Sequence, residues 1–295
     1  MNAGILNIDK PTGLTSHDVV ARVRRLVPKV RVGHAGTLDP MATGVLVVCL
    51  GKATRLIEYL AGADKRYQAT IRFGVTTTTW DADGEVEERR PIDGLDRAQI
   101  EAQLPRFTGA IDQVPPMYSA LKRKGQPLYR LARRGVTVER AARRVEVYSL
   151  VVERWSPPDL TVRIHCSKGT YVRALAHDVG QAVGVGAHLA ALRRTAVGAF
   201  TVEDAVDLEW LLARRETGAW RERLYDARVA VQHLPQATAD SAATHRLTHG
   251  QPASLSVDGE GSEAAVLDPD GQLLALVRYD PESGLWRPHK VLQGA

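Results

Sequence analysis

A chain of 295 residues, 44% hydrophobic and 25% charged, has the make-up of a folded protein with room for two domains, which excludes a disordered polymer. Its two cysteines, Cys49 and Cys166, lie far apart in apolar runs with neither a C-x-x-C pair nor a neighbouring histidine pair, so neither a disulfide framework nor a zinc site is indicated. The net charge of +5 is uneven: Lys122 to Arg144 holds nine basic residues against one acid, a local net of +8 that leaves the rest at −3, the footprint expected of a phosphate-rich partner rather than of a merely solvated face. The chain has no apolar run long enough to span a membrane, which takes about 18 residues, and no basic-then-apolar leader pattern, so a cytoplasmic protein is expected.

In chain order, Ile5-Leu6-Asn7-Ile8 predicts a short strand and Lys10-Pro11-Thr12-Gly13 a turn. Ser16 is placed to cap a helix with Val19, Val20, Val23, Leu26 and Val27 inward and Arg22, Arg24 and Arg25 outward, ending at Pro28. A glycine-rich loop, Gly33 to Gly44, precedes Val45 to Leu50, apolar throughout as in a strand buried on both faces. Leu56, Ile57 and Leu60 mark a short helix. Tyr67, Ala69, Ile71 and Phe73 alternate with Gln68, Thr70 and Arg72 to predict a half-buried strand. Asp83-Gly84 is a turn, Leu95 to Leu104 reads as helical, and Val114-Pro115-Pro116 breaks regular structure before the basic stretch, so about 115–144 is expected to be an inserted, mobile arm. Leu160, Val162, Ile164 and Cys166 form another alternating strand, and a helix is expected to begin at Thr170 with Val172, Leu175, Ala176 and Val179 inward. Strands and helices mix without a βαβ repeat, which argues for α+β. A second unit is expected after Leu234-Pro235, with an Asp270-Gly271 hairpin and several short strands that suit a small barrel.

Glycines in the loop Gly33 to Gly44 permit unusual backbone and close approach of a ligand. Taken alone, Asp39 before Pro40 reads as a turn residue. The whole loop, however, resembles the G-H-x-G-x-L-D-P-x-A-x-G signature of TruB-type pseudouridine synthases at every fixed position. Further matches follow in order: Asp9-Lys10-Pro11-x-Gly13, Lys65-x-Tyr67, Gly169-Thr170-Tyr171-Val172-Arg173 and Leu192-Arg193-Arg194-Thr195. The closing stretch, with Gly250 and Pro288-x-Lys290-Val291-Leu292, is similar to a PUA domain.

That resemblance implies a catalytic unit over 1–235 with a central mixed, mainly antiparallel sheet flanked by helices and loops, carrying the thumb-like insertion, and a β-barrel-like RNA-binding unit over 236–295. It implies isomerisation of uridine to pseudouridine at position 55 in the T-loop of tRNA. The reaction breaks the bond from N1 to C1′, turns the base and joins C5 to C1′, with no redox change and no phosphate transfer. It therefore calls for no cofactor and no metal, only a carboxylate and a group to take the C5 proton. Asp39 would supply the carboxylate, whether it attacks C1′, attacks C6 or removes a ribose proton. Tyr67, otherwise a core or rim tyrosine, becomes the residue that stacks on the base and accepts the proton, and Arg173 the cation that pairs with Asp39. Tyr171 and Leu192 would line the same pocket, and Lys10, Pro11 and Gly36 would join the substrate-binding residues. A uridine stacked in a loop has to be extruded before a cleft carboxylate can reach it, and His34 would fill the space it leaves. Arg133, Arg134, Arg143 and Arg144 of the arm would meet phosphates, with Gly125 and Gly135 as hinges. The expected partner is the T-arm stem-loop of tRNA, met by a monomer with no guide RNA and no membrane. The competing reading is a non-catalytic RNA-binding or tRNA-folding protein, against which the intact set of Asp39, Tyr67 and Arg173 argues.

Overall fold

The computed structural model describes residues 3–293 apart from 120, 124, 133 and 137. Among them no helix is long and apolar enough to cross a membrane. The first half of the large sheet is built from β1 (Ala3–Lys10), β2 (Val32–His34), β3 (Thr43–Gly51) and β4 (Lys65–Phe73). The second half comprises β5 (Gly109–Gln113), β6 (Arg143–Ser156), β7 (Asp159–Cys166) and β8 (Ala187–Val197). The strand order is β1-β3-β8-β4-β7-β6-β5, with β2 on β3 and a two-residue strand, Val206–Asp207, outside β1. Pairing is antiparallel except between β1 and Val206–Asp207 and between β3 and β8, which gives the mixed, mainly antiparallel sheet of an α+β fold.

The apolar run Val45 to Leu50 is buried on both faces, as its lack of alternation requires. On one face Leu46, Val48 and Leu50 meet α1 (Ser16–Leu26), and on the other Val45, Val47 and Cys49 meet the short helix α2 (Ile57–Gly62). Each fully buried Val or Leu here stabilises the fold by about 2 kcal/mol relative to exposure. The alternating faces of β4 and β7 pack against the helix Val172–Val183 through Ile71, Phe73, Leu160, Val162, Leu175 and Val179.

Three local expectations are corrected. The cap of α1 is Thr15, not Ser16: Thr15 and Asp18 form a reciprocal capping box, with the Asp18 amide donating to Thr15 Oγ1 and the Thr15 amide to Asp18 Oδ2. Ser16 is thereby released for another use. The stretch Leu95 to Leu104 is split into α3 (Arg97–Glu101), capped by Asp96, and a 3-10 turn at Leu104–Phe107 containing Pro105, whose ring cannot continue an α-helix interior. On the arm, α4 (Leu128–Ala132) follows a two-stranded ribbon of Lys122–Arg123 and Gln126–Pro127. The helix expected from Thr170 is α5 (Val172–Val183), since the Thr170 hydroxyl donates to the Ser167 carbonyl and Tyr171 is the cap.

The arm is the loop of one long hairpin. Its root is the β5–β6 ladder, where Arg143 pairs with Gln113 and Arg144 with Asp112. A smaller sheet follows, β9 (Gln236–Thr238), β10 (Glu263–Leu267), β11 (Leu273–Asp280) and β12 (Leu285–Val291) in that spatial order, with a helix Ser241–Thr248 against it. The connecting loop touches both edges, Ala253 bridging to Trp286 on β12 and Asp258 to Gln236 on β9, so the sheet curls into a barrel-like unit. Ala265, Leu273, Leu276 and Leu292 of this unit share a core with β3 and α2, and Arg55 donates to the Val291 carbonyl at 2.7 Å.

Candidate active site

The loop between β2 and β3 is held by buried polar groups reaching in from three other elements. Ser16, freed from capping, satisfies both peptide groups of Leu38: the Leu38 amide donates to Ser16 Oγ at 2.8 Å, and Ser16 Oγ donates to the Leu38 carbonyl at 3.1 Å. Lys10 is fully buried at the end of β1 and its ammonium donates to the carbonyls of Pro11, Leu14 and Pro40 at 2.9, 2.6 and 3.2 Å. All three of its donors are used, and burial pulls its pKa down to about 8. Lys10, expected among the substrate-binding residues, here turns its ammonium inward and braces the turn against the loop, and half-buried Pro11 is part of that turn.

Arg194 is the third brace. It is buried on β8, and its guanidinium donates to the carbonyls of Val45, Gly36 and Thr37 at 2.7, 3.1 and 3.4 Å. In register it lies opposite Gly44 on β3 and opposite Tyr67 on β4, so one residue ties the loop to the tyrosine strand. Gly44 has φ +98°, and a Cβ there would fall 2.2 Å from the Arg194 carbonyl oxygen, so only glycine permits this crossing.

Leu38 and Ala42 enter the core on either side of Asp39, which leaves the carboxylate partly exposed. Arg173, on the first turn of α5, faces it: Nε lies 3.0 Å from Oδ2 and Nη2 3.2 Å from Oδ1. The Asp39 side chain keeps 34% exposure against 5% for Arg173, so a substrate can reach the carboxylate while its cation stays shielded. Crowding around the carboxyl group pushes its pKa above the usual carboxylate range, Arg173 opposes this, and Asp81 and Asp83 add to it. Arg173 is itself held by the carbonyls of Thr79 at 3.2 Å and Tyr118 at 2.7 Å, and by the Asp81 carboxylate at 3.4 Å.

Tyr67 and Leu192 are buried beside Leu38 in the same cluster. Burial pushes the Tyr67 phenol up, so it is neutral at ordinary pH, and the neighbouring Arg194 guanidinium opposes that shift. Tyr171 is fixed by Gln113, whose amide accepts from the Tyr171 amide at 2.7 Å and donates to its carbonyl at 3.1 Å. His34 ends β2 with its ring edge-on to His17 at 5.4 Å; burial, then the charges of His17 and Arg194, lower its pKa to about 4, so the imidazole is uncharged. Gly36, with φ +96°, lends its carbonyl to Arg194. Arg134, Arg143 and Arg144 are exposed, the last paired with Asp112 at 3.2 Å, whereas Arg133 lies outside the described residues. The arm reaches the cluster around Asp39 through the Tyr118 carbonyl on Arg173.

Sequence reasoning gave no role to Arg194, Asp81 or Gln113. Arg194 sits in a quoted motif, and its signal was an arginine at an inward position of an alternating strand. Asp81 and Gln113 carry no comparable signal, because only the fold brings them to Arg173 and Tyr171.

Residues 24–172 match the TruB family pseudouridylate synthase (N terminal domain), and residues 173–233 match the tRNA pseudouridylate synthase B C-terminal domain. A protein named tRNA pseudouridine synthase B from Thermobifida fusca (strain YX) is 48% identical over 303 residues, covering 100% of both chains. One of the same name from Burkholderia mallei (strain NCTC 10247) is 46% identical over 300 residues, covering 98% of this chain and 96% of its own. Among solved structures, a chain of an H/ACA RNP bound to a substrate RNA containing 2'-deoxyuridine superposes with a TM-score of 0.75 at 27% identity, covering 98% of this chain and 85% of that one. A chain of the archaeal box H/ACA sRNP Nop10-Cbf5 complex gives 0.74 at 28% identity, covering 99% and 86%.

Proposed function

The chain belongs to the TruB family of pseudouridylate synthases, an enzyme family that isomerises uridine in tRNA, and from that premise we propose that it acts on uridine 55 of the T-loop with Asp39 as the reacting carboxylate. The observation that carries this reading is the ion pair between Asp39, in the twelve-residue loop, and Arg173 on α5. An aligned cation, shielded from water, fixes the direction of the carboxylate and opposes the rise of its pKa, and the exposed side of the carboxylate is open to a substrate. Tyr67 is the base-stacking residue and proton carrier. His34, uncharged and at the rim, is the ring that takes the place of the extruded nucleotide, because an apolar stacking surface replaces base stacking without holding a charge out of water. Tyr171 and Leu192 line the pocket. Residues 1–235 form the catalytic unit and 236–295 an RNA-binding unit. A binder without chemistry would leave the Asp39–Arg173 pair without a use.

The test is a T-arm minihelix incubated with the pure protein in EDTA and mapped for pseudouridine. Conversion at position 55 of naked RNA is expected. Modification elsewhere, or none until a guide particle or metal is added, would overturn the assignment.

The arm should act through charge. Replacing Arg133, Arg134, Arg143 and Arg144 by glutamine is expected to weaken tRNA binding and to flatten its salt dependence, since each lost phosphate contact reduces the slope of log K against log salt by about 0.9 or less. Arg144 should contribute least, as Asp112 already partners it. Titrations at several salt concentrations read the slope directly, and an unchanged slope would make the arm an ordinary solvated surface.

A further inference from the structure

Trp80 lies far along the chain from the loop of Asp39, yet the residues on either side of it reach the site. Its backbone is left-handed, φ +63°, a conformation that non-glycine residues rarely adopt. That turn is pinned at both sides: the Trp80 amide donates to the Thr77 carbonyl at 3.1 Å, and its carbonyl accepts from the Leu189 amide at 3.0 Å. It directs the carbonyl of Thr79 and the carboxylate of Asp81, the residues on either side, onto Arg173. The indole stacks on His177, one turn beyond Arg173 on α5, with centroids 4.3 Å apart and planes 13° from parallel. Over the indole lies the guanidinium carbon of Arg140, 5.6 Å from the ring centroid.

Arg140 belongs to the returning limb of the arm and donates to the Pro115 carbonyl at 3.1 Å, at the start of the outgoing limb. Its Nε is buried without a hydrogen-bond partner, as is His177 Nδ1. A guanidinium with a buried, unpartnered donor beside an aromatic face takes part of its compensation from that face. Burial, with the Arg140 charge adding to it, lowers the His177 pKa and keeps the stack at a single positive charge. The outgoing limb contributes as well, through the Tyr118 carbonyl on Arg173 Nη2. The outgoing limb thus ends on Arg173 itself, and the returning limb on Trp80, whose flanking residues hold Arg173.

We propose that Trp80 is a positioning residue for the isomerisation, holding Arg173 against Asp39 through its backbone turn and fastening the arm beside the site through the Arg140–Trp80–His177 stack. This rests on the reading of Asp39 as the reacting carboxylate. Trp80 touches neither Asp39 nor substrate in this role; it sets the angle of the guanidinium that does the orienting. Misplacement of that pair lowers the rate of the chemical step and leaves phosphate binding alone.

The experiment compares Trp80→Leu, Trp80→Phe, Arg140→Met and the double Trp80→Leu/Arg140→Met in the full chain, reading the single-turnover rate at saturating T-arm RNA and Kd separately. Trp80→Leu and Arg140→Met should each slow the chemical step by roughly tenfold with Kd within about threefold, as a shifted catalytic geometry does. Trp80→Phe, which keeps a ring for both neighbours, should recover to within about threefold of wild type. The double variant should be no slower than the slower single, since both act through one stack. A wild-type rate in Trp80→Leu, additive losses in the double, or an effect of Arg140→Met on Kd alone would each overturn the proposal. Should Trp80→Leu fail to fold, Arg140→Met with its rate against Kd decides. Asp39→Asn runs beside them: substantial turnover there sinks the functional reading itself, whatever the Trp80 variants do.

Discussion

Asp39→Asn is expected to bind tRNA within about tenfold of wild type, a loss of at most roughly 1.4 kcal/mol, and to turn over at least about 10⁴-fold more slowly. Asn keeps the shape of Asp and one acceptor oxygen but carries no charge and is a poor nucleophile or base. The arrangement around it survives the change for a structural reason: Arg173 retains the Asp81 carboxylate and the carbonyls of Thr79 and Tyr118, so its charge is not left alone. Nor does folding depend on the carboxylate. Its pKa is raised in the fold, so the charged form is held at some cost, and a neutral amide removes that cost while giving up one ion pair. The loop is braced by Ser16, Lys10 and Arg194 through backbone groups that the substitution does not touch. The variant should therefore bind and extrude the uridine and leave it as uridine. Measurable multiple turnover by pure Asp39→Asn, checked for deamidation to Asp, would sink the assignment of the isomerisation to this carboxylate.

How much of this site the amino-acid sequence reveals depends on whether a residue acts through its neighbours in the chain or through the fold. The doubly buried strand Val45 to Leu50 and the alternating strands around Ile71 and Val162 are legible because apolar period is a local property. The glycine-rich loop is legible for a similar reason, since Gly44 marks a crossing where no Cβ fits. Helix starts are not: Thr15 and Ser16 are both competent caps, and only the reciprocal partner Asp18 decides between them, while Ser16 is drawn away by Leu38, 22 residues distant. Lys10 is a further case: its neighbours along the chain do not tell that three carbonyls of converging turns need a donor, which the ammonium supplies from inside. Asp81 looks like part of an acidic turn until β8 bridges to it and turns it toward Arg173. What stays hidden, then, is the set of polar groups that hold the reacting ones, because their partners are chosen by topology.

Tyr67→Phe is expected to hold RNA as tightly as wild type and to lose multiple turnover, by about 10²- to 10⁴-fold, the range for removing a general acid or base. On the proposed reading the ring stacks on the base, and phenylalanine keeps it, while the hydroxyl moves the proton. In its buried place the phenol is neutral, so it takes the C5 proton only as it hands its own to solvent water, and Arg194 opposite it in the β4–β8 ladder eases the negative charge that develops on the oxygen in that exchange. Arg194 cannot drift off this task, since the carbonyls of Val45, Gly36 and Thr37 hold it. Loss of the hydroxyl removes a polar neighbour from a buried guanidinium, so a stability cost of about 1–2 kcal/mol is expected, too small to unfold the chain. Asp39 still acts, so the glycosidic bond still breaks and the base still turns; the step that fails is removal of the C5 proton. With RNA tritiated at uracil C5, the complex should retain its label under native conditions. Digestion of that complex should then yield C-linked nucleoside in an amount no greater than the enzyme present. Wild-type tritium release by Tyr67→Phe would take the hydroxyl out of the reaction and leave Tyr67 as a stacking surface alone.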